Sequence, residues 1–310
     1  MDRLREMEVF VAVADAGSLA KAAGRMRISP PAVTRAISAL EERLGARLFN
    51  RTTRSLSLTE VGVRFLESAR RLLGDIDAAE KQAVGETAAP QGHLTITASV
   101  TFGRTVLAAV VTEFLAAHPR ITVSVLLLDR IANLVEEGID VAVRIASLPD
   151  SSLVARRVGE VRRILVASPS YLERHGRPET PADLKLHAII AFTSLMPNRE
   201  WRHVDAGGGN HVSVQPRLEI NDAGAAIGAA ERGAGITIAL SYMVAEHIHD
   251  GRLVPVLDAF SPPPVPVHLV YLPSRLIAPK VRAFIDFASP RLRETLSGLG
   301  IDARPAEAMS

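Results

Sequence analysis

Cysteine is absent from the 310 residues, which removes disulfides, thiolate nucleophiles, iron–sulfur ligation and the common Cys-based zinc sites together. A reducing cytosol suits such a chain. Also missing is an uninterrupted run of about 18 uncharged apolar residues, the length a spanning helix needs, so no membrane span is expected. The first ten residues, MDRLREMEVF, lack the apolar stretch and small-residue cleavage site of a secretory signal. Net charge is small as well, at +2. What is present is an ordinary globular composition, 47% hydrophobic and 23% charged, which suffices for real cores and excludes global disorder. At about 100 to 200 residues per domain, the length implies two domains.

The charge is unevenly placed. Residues 17–58 hold eight basic side chains (Lys21, Arg25, Arg27, Arg35, Arg43, Arg47, Arg51, Arg54) against Glu41 and Glu42, a local balance of +6. From Gln91 onward, 22 basic residues meet 22 acidic ones. A short basic module on a neutral body is the footprint of a polyanion binder with a separate second function.

Within that module Leu4, Met7, Phe10, Val11 and Ala14 recur at helical spacing and Gly17 stops the helix. Ser18 caps a second helix over 19–26, and Ser29 followed by Pro30 opens a third. Val33, Ile37, Leu40 and Leu44 form its buried stripe. The tight 27–29 connection makes the pair a helix-turn-helix. Residues 47–58 (RLFNRTTRSLSL) then alternate as a basic hairpin, or wing. Thr59 caps a long helix to about Glu86, where Gly62, Phe65, Ala69, Leu72, Ile76, Ala79 and Ala83 fall at alternating steps of three and four. Such a heptad seam calls for a partner helix and so for dimerisation; packing on its own chain is the alternative.

Residues 88–92 (AAPQG) break that helix and form the candidate hinge. Beyond it, strand-like segments at 94–99, 121–128 and 139–145 alternate with helical stretches at 102–117 and 130–137. More strands are expected at 161–168, 187–192, 235–240 and 265–272, with a hairpin about 207–209 and helices from Asp222 and from Pro279 to Ala288. This is an α/β body with parallel elements.

The run GSLAKAAGRMRISPPAVTRAISALEERLGARLFNRTTRSLSLTEVG resembles the N-terminal domain of the LysR-type transcriptional regulators, gap-free. SPSYLERHGRPETPADLKLHAIIAF and GAGITIAL resemble their effector domain. The resemblance implies an α+β multidomain chain. A winged helix-turn-helix at 1–58 is followed by a dimerisation helix at 59–87, a hinge at 88–92 and a two-lobed periplasmic-binding-protein-like effector domain at 93–290. Lobe I takes about 93–162 and 268–290, lobe II about 163–267, and residues 291–310 form a tail. The chain is expected to cross between lobes near 162–165 and again near 265–268.

A recognition helix presents its first turns to the major groove. That selects Ser29, Pro30, Ala32, Thr34 and Arg35, with Arg51 and Arg54 of the wing on phosphates or the minor groove. Ser29 is equally a simple cap, and the wing arginines are open to reading as ordinary surface charge. Pro30 stands where many relatives carry a Gln, which leaves only apolar contact there. Gly24 costs its helix about 1 kcal/mol relative to Ala and is read as room for close packing. Phe65, Ala69, Leu72, Ile76 and Ala79 are the candidate dimerisation positions.

For the effector, Ser99 and Thr101 after one strand match the family's contacts, and Thr193 with Ser194 hold the same place in the other lobe. Leu128, Arg144, Asn221 and Asp222 are further candidates, open to reading as caps or ion pairs. Hydroxyls and helix N-termini suit a small carboxylate or another small polar metabolite. The partners implied are double-stranded DNA, such an effector, RNA polymerase, and further copies of the chain as a homodimer assembling to a homotetramer. No cofactor, metal or membrane is called for.

Enzymatic chemistry finds no motif. His203, His211, His247 and His249 show no metal-ligand spacing, His247 and His249 reading as solvent-exposed, and the glycines of 224–235 follow no strand in a dinucleotide arrangement. The alternative function is a DNA-binding architectural protein without an effector.

Overall fold

A computed structural model describes residues 2–51, 56–83, 90–148, 153–273 and 277–299. The chain divides into two compact units, residues 1–93 with 276–280, and 94–275 with 281–310.

In the first unit α1 (Arg3–Ala16) starts where Asp2 accepts the Leu4 N–H at 3.2 Å and ends at Gly17 with φ 60°. The Ser18 side chain caps α2 (Leu19–Met26), whose end at Arg27 is also left-handed, φ 54°. Helix α3 (Pro30–Leu44) follows. Strands β1 (Phe49–Arg51) and β2 (Leu56–Leu58) pair antiparallel as the wing, and α4 (Glu60–Ala83) leaves it. Their common core gathers Val9, Phe10, Val13, Val33, Ile37, Leu40, Leu48 and Phe49. The Phe10 ring sits 5.2 Å from both Phe49 and Phe65, at the tilted geometry aromatic pairs favour.

Three local expectations change here. Leu44 is 39% exposed instead of closing the buried stripe, because the left-handed Gly45 ends the helix there. Gly24 is exposed with nothing near an added Cβ, so it serves no close packing. The close approach belongs to Gly62, where a Cβ would stand 2.1 Å from the Leu48 carbonyl oxygen.

The second unit opens with β3 (Gly92–Ala98), so Gly92 of the expected hinge is already strand, while residues 88 and 89 lie outside the described residues. A continuous helical rod follows, α5 (Val100–Phe102), a π-helical turn (Gly103–Leu107) and α6 (Ala108–Ala117). The rod is long and apolar enough to span a membrane by length and composition. Phe102, Val106, Leu107, Val110 and Phe114 are nonetheless buried in the unit's core, and Arg104 and Glu113 interrupt it.

Strands β4 (Ile121–Leu127), β5 (Val141–Ile145) and β6 (Val154–Val161) come next, then β7 (Arg163–Ala167), α7 (Pro169–His175) and β8 (Ile189–Phe192). The hairpin β9 (Glu200–Asp205) and β10 (Gly208–Ser213) forms where the glycines predict it. After it run β11 (Pro216–Ile220), α8 (Ala223–Glu231), β12 (Ile236–Leu240), α9 (Ser241–His249), β13 (Val254–Val256), β14 (Val265–Tyr271) and α10 (Pro279–Gly298). Residues 291–298, expected in a tail, continue α10 past Pro290.

Two five-stranded sheets result, ordered β4-β3-β5-β14-β6 and β11-β8-β12-β7-β13. They are the cores of lobes I and II. In the second, β8 is parallel to β11 and β12, while β7 runs antiparallel to β12. The chain crosses between sheets at Arg162 and again over residues 257–264, since Val265 is already strand; the second crossing thus precedes its expected place. Residues 130–137 do not form the expected helix. The Asn133 side chain accepts the Val135 N–H, Arg130 clamps Glu137 through two 2.7 Å bonds, and Gly138 follows with φ 63°, leaving room for one turn.

Candidate nucleic-acid interface and effector cleft

Helix α3 is held from behind. The buried Glu41 carboxylate accepts the N–H groups of Leu48 at 2.8 Å and Phe49 at 3.2 Å, which ties the helix to the start of the wing. Arg43 donates to the buried Glu6 at 2.9 Å and fixes α3 on α1. Neither acid was singled out from sequence, because only the fold brings an i to i+7 backbone amide to a helix side chain.

The opposite surface is open. Ser29 sits at the cap position of α3 but its side chain makes no cap bond, leaving the hydroxyl at the exposed end of the helix. Pro30 is exposed and Ala32 half-buried. The Thr34 hydroxyl donates to the Pro30 carbonyl at 3.2 Å, so its proton is engaged within the helix. Arg35 is exposed and enters no ion pair among the described residues, as do Arg25 and Arg47, which join the candidates. Arg51 is the last residue of β1, with its side chain outside the described residues; Arg54 lies wholly outside them.

The seam of α4 splits. Phe65 and Ala69 pack into the unit's own core, whereas Leu72 and Ile76 remain 46% and 36% exposed. The side chain of Ala79 lies outside the described residues.

Ser99 follows β3, and its buried hydroxyl has no hydrogen-bond partner among the described residues. Thr101 is buried two residues on. Facing them is a residue that sequence reasoning missed: Tyr242 on α9, whose ring meets Phe102 edge-on at 5.2 Å and whose buried hydroxyl also lacks a partner. Burial drives that hydroxyl well above the ordinary tyrosine pKa; the neighbouring Ser99 opposes the shift without forming a proper hydrogen bond, and the Asp129 charge adds to it. Tyr242 thus stays protonated at every physiological pH. Two orphaned hydroxyls in one place are costly unless something else satisfies them.

Both nearby helix N-termini already hold a carboxylate of the chain. Asp129 accepts the Val100 N–H at 3.0 Å, and Asp222 accepts the Ala225 N–H at 2.7 Å. Arg104 from the π-helical turn lies against Gly224 at the start of α8. Thr193, Ser194 and Asn221 are exposed at the same end of the second sheet, where the Thr193 N–H binds the Ile220 carbonyl. Leu128 instead packs with Ala132 and Leu134, and Arg144 donates to the Ala132 carbonyl at 3.0 Å. Those two are built into the wall.

His247 is half-buried, its Nδ1 standing 2.6 Å from the Glu231 carboxylate, and is not the solvent-exposed side chain expected. No group of three potential metal ligands occurs among the described residues.

Residues 4–63 match the family described as bacterial regulatory helix-turn-helix protein, lysR family, and residues 87–293 match the LysR substrate binding domain. Among curated proteins the chain is similar to an HTH-type transcriptional repressor of Pseudomonas aeruginosa, 34% identical over 99% of both chains. It is also similar to the HTH-type transcriptional regulator CrgA of Neisseria meningitidis, 33% identical over 94% of this chain and 98% of that protein. Among solved structures, CrgA superposes with TM-score 0.61 at 32% identity, covering 93% of this chain and 98% of the other. The full-length virulence activator AphB of Vibrio cholerae gives TM-score 0.58 at 30% identity over 92% and 98%.

Proposed function

The chain belongs to the LysR family of bacterial transcriptional regulators, and on that premise we propose how its residues divide the work. It is a DNA-binding regulator with a helix-turn-helix domain and an effector-binding domain. Helix α3 lies in the major groove, with Ser29, Pro30, Ala32 and Thr34 toward base edges and Arg35 on a phosphate or a guanine edge. Arg51 and Arg54 track the flanking backbone from the wing, joined by Arg25 and Arg47. The observation that carries this is the exposed guanidinium of Arg35, without an ion pair among the described residues, on a helix that Glu41 and Arg43 fix to its own unit.

Two copies pair through the exposed stretch of α4 that includes Leu72 and Ile76, and two pairs form a tetramer on an inverted repeat. The site of action is the bacterial cytoplasm, where the DNA is, with RNA polymerase as the target of control. A small effector enters the cleft and satisfies the hydroxyls of Ser99 and Tyr242, shifting the balance between lobe arrangements. No step of this mechanism makes or breaks a covalent bond. The domain limits adopted are 1–58, 59–87 and 93–290, the last divided into lobes I and II.

Salt-titrated binding of the purified protein to the DNA upstream of its own gene, against scrambled DNA of equal length, tests the reading. Tight, sequence-dependent binding supports it. Equal and steeply salt-dependent binding to both DNAs would favour an architectural role instead.

A further inference from the structure

Arg47 and Leu48 carry the chain from α3 into the wing, and their backbone is held from both sides. On one side the Glu41 carboxylate of α3 accepts the Leu48 N–H at 2.8 Å. On the other, Thr59, immediately before α4, donates twice to the same stretch. Its N–H binds the Leu48 carbonyl at 2.9 Å and its hydroxyl the Arg47 carbonyl at 2.8 Å. The same hydroxyl oxygen accepts the Gly62 N–H, in the first turn of α4, at 2.9 Å. One oxygen that donates and accepts at once is a hydroxyl property, which Ser shares and the equally sized Val lacks. Gly62 completes the joint. A Cβ there would stand 2.1 Å from the Leu48 carbonyl oxygen and 3.1 Å from the Leu58 side chain, so only a bare Cα lets α4 rest directly on the wing entry.

Both helices are secured elsewhere. The Arg43–Glu6 pair ties α3 to α1, and α4 places Phe65 and Ala69 in the core of the unit. The Thr59 hydroxyl is therefore not what keeps either helix in place. It fixes the segment between them, where Leu48 is fully buried and Arg47 is exposed with no ion pair among the described residues. With the Leu48 side chain sealed in the core and both carbonyls clamped, the guanidinium of Arg47 leaves the surface from a fixed root.

We propose that Thr59 is a positioning residue for DNA binding, which ties the first turn of α4 to the wing entry and so holds Arg47 where its guanidinium meets a phosphate. The hydroxyl itself touches no DNA. Because α4 also bears the exposed Leu72 and Ile76, this one side chain links the phosphate contact to the helix through which two copies pair. The inference rests on the reading of Arg47 as a contact to the DNA backbone.

The test is salt-titrated fluorescence anisotropy of the full-length protein on the duplex upstream of its own gene and on a copy with the footprinted half-sites scrambled. Thr59→Val should weaken binding severalfold and lower the salt slope by about one on both duplexes, as loss of one phosphate contact does. Preference for the true duplex over the scrambled one should stay within twofold of wild type, since α3 has not moved. Thr59→Ser should restore affinity and slope. Arg47→Met should show the same losses, and the double variant Thr59→Val with Arg47→Met should bind no more than twofold weaker than Arg47→Met alone, because both changes remove one contact. A wild-type slope in Thr59→Val, with or without a reduced active fraction in a stoichiometric titration, would make the hydroxyl merely structural and overturn the proposal. Additive losses in the double variant, or a wild-type slope in Arg47→Met, would overturn the route through Arg47. Lost preference in Thr59→Val would mean that α3 moves, and would overturn it too. Failure of the regulator reading shows separately, as equal wild-type binding to both duplexes, and the slopes on scrambled DNA still decide the role of Thr59.

Discussion

Arg162 and Asp258 join the two segments that connect the lobes: the guanidinium of the first donates to the carboxylate of the second at 2.7 Å. Arg162 is the whole of one crossover, and Asp258 lies near the start of the other. The backbone of Arg162 is bound as well, its N–H to the Ser241 hydroxyl at 3.2 Å and its carbonyl by the Ser241 N–H at 2.8 Å. Ser241 opens the helix that carries Tyr242. The first crossover and the Tyr242 hydroxyl are thus neighbours in one bonded stretch of chain.

Breaking that clamp should loosen the lobes without unfolding them. Asp258→Ala removes a pair about two-thirds buried, worth about 1 kcal/mol after solvent screening. The effector domain should melt a few degrees lower in a scanning calorimeter. An unchanged melting temperature would mean the pair adds nothing to the hinge.

Glu41→Ala should strike the first unit alone. It leaves two buried backbone amides, those of Leu48 and Phe49, short of an acceptor, at a cost of about 1 to 3 kcal/mol. Urea unfolding of the variant should show the helix-turn-helix transition moved to lower denaturant while the second transition stays in place.

On DNA, Arg35→Ala should weaken operator binding and, where the contact is to phosphate, lower the salt slope by about one. The variant should fold normally, because the side chain is exposed and enters no ion pair among the described residues. Wild-type affinity in Arg35→Ala and Arg51→Ala alike would refute the proposed docking of α3 and the wing.

Leu72→Glu should dissociate the dimer without harming the unit that bears it. Leu72 is 46% exposed, whereas Ala69, one turn earlier, is sealed in the core. Light scattering should report a lighter particle. A stable assembly of unchanged mass would place the interface elsewhere.

Tyr242→Phe carries an inverted expectation. Removing a buried hydroxyl that has no partner should stabilise the ligand-free protein by about 1 kcal/mol. It should at the same time blunt the change in DNA affinity caused by the effector. Destabilisation would mean the hydroxyl is already satisfied in the free protein.

How much of this was legible beforehand depends on the range of the physics involved. Helices α1 to α3 announced themselves through Gly17, Ser18 and Pro30, because a cap, a stop and a first-turn proline act within four residues. The hairpin at 207–209 and the buried strands β3 and β12 were readable for the same reason. Strands β6, β11 and β13 and helix α9 went unread, since their apolar positions are too few or too mixed to stand out without the neighbours that cover them. Residues 130–137 carried a helical pattern that Asn133, Arg130 and Gly138 overruled through local hydrogen bonds. A heptad seam was visible along α4, but periodicity reports only that a face needs covering; Phe10 and Phe49 decided that Phe65 and Ala69 cover it from within. Ser99 and Tyr242 are 143 residues apart. Local sequence could set what each of these side chains is able to do. Only the folding of two sheets and their crossovers could bring them to one place, because burial exists only once distant segments share a common interior.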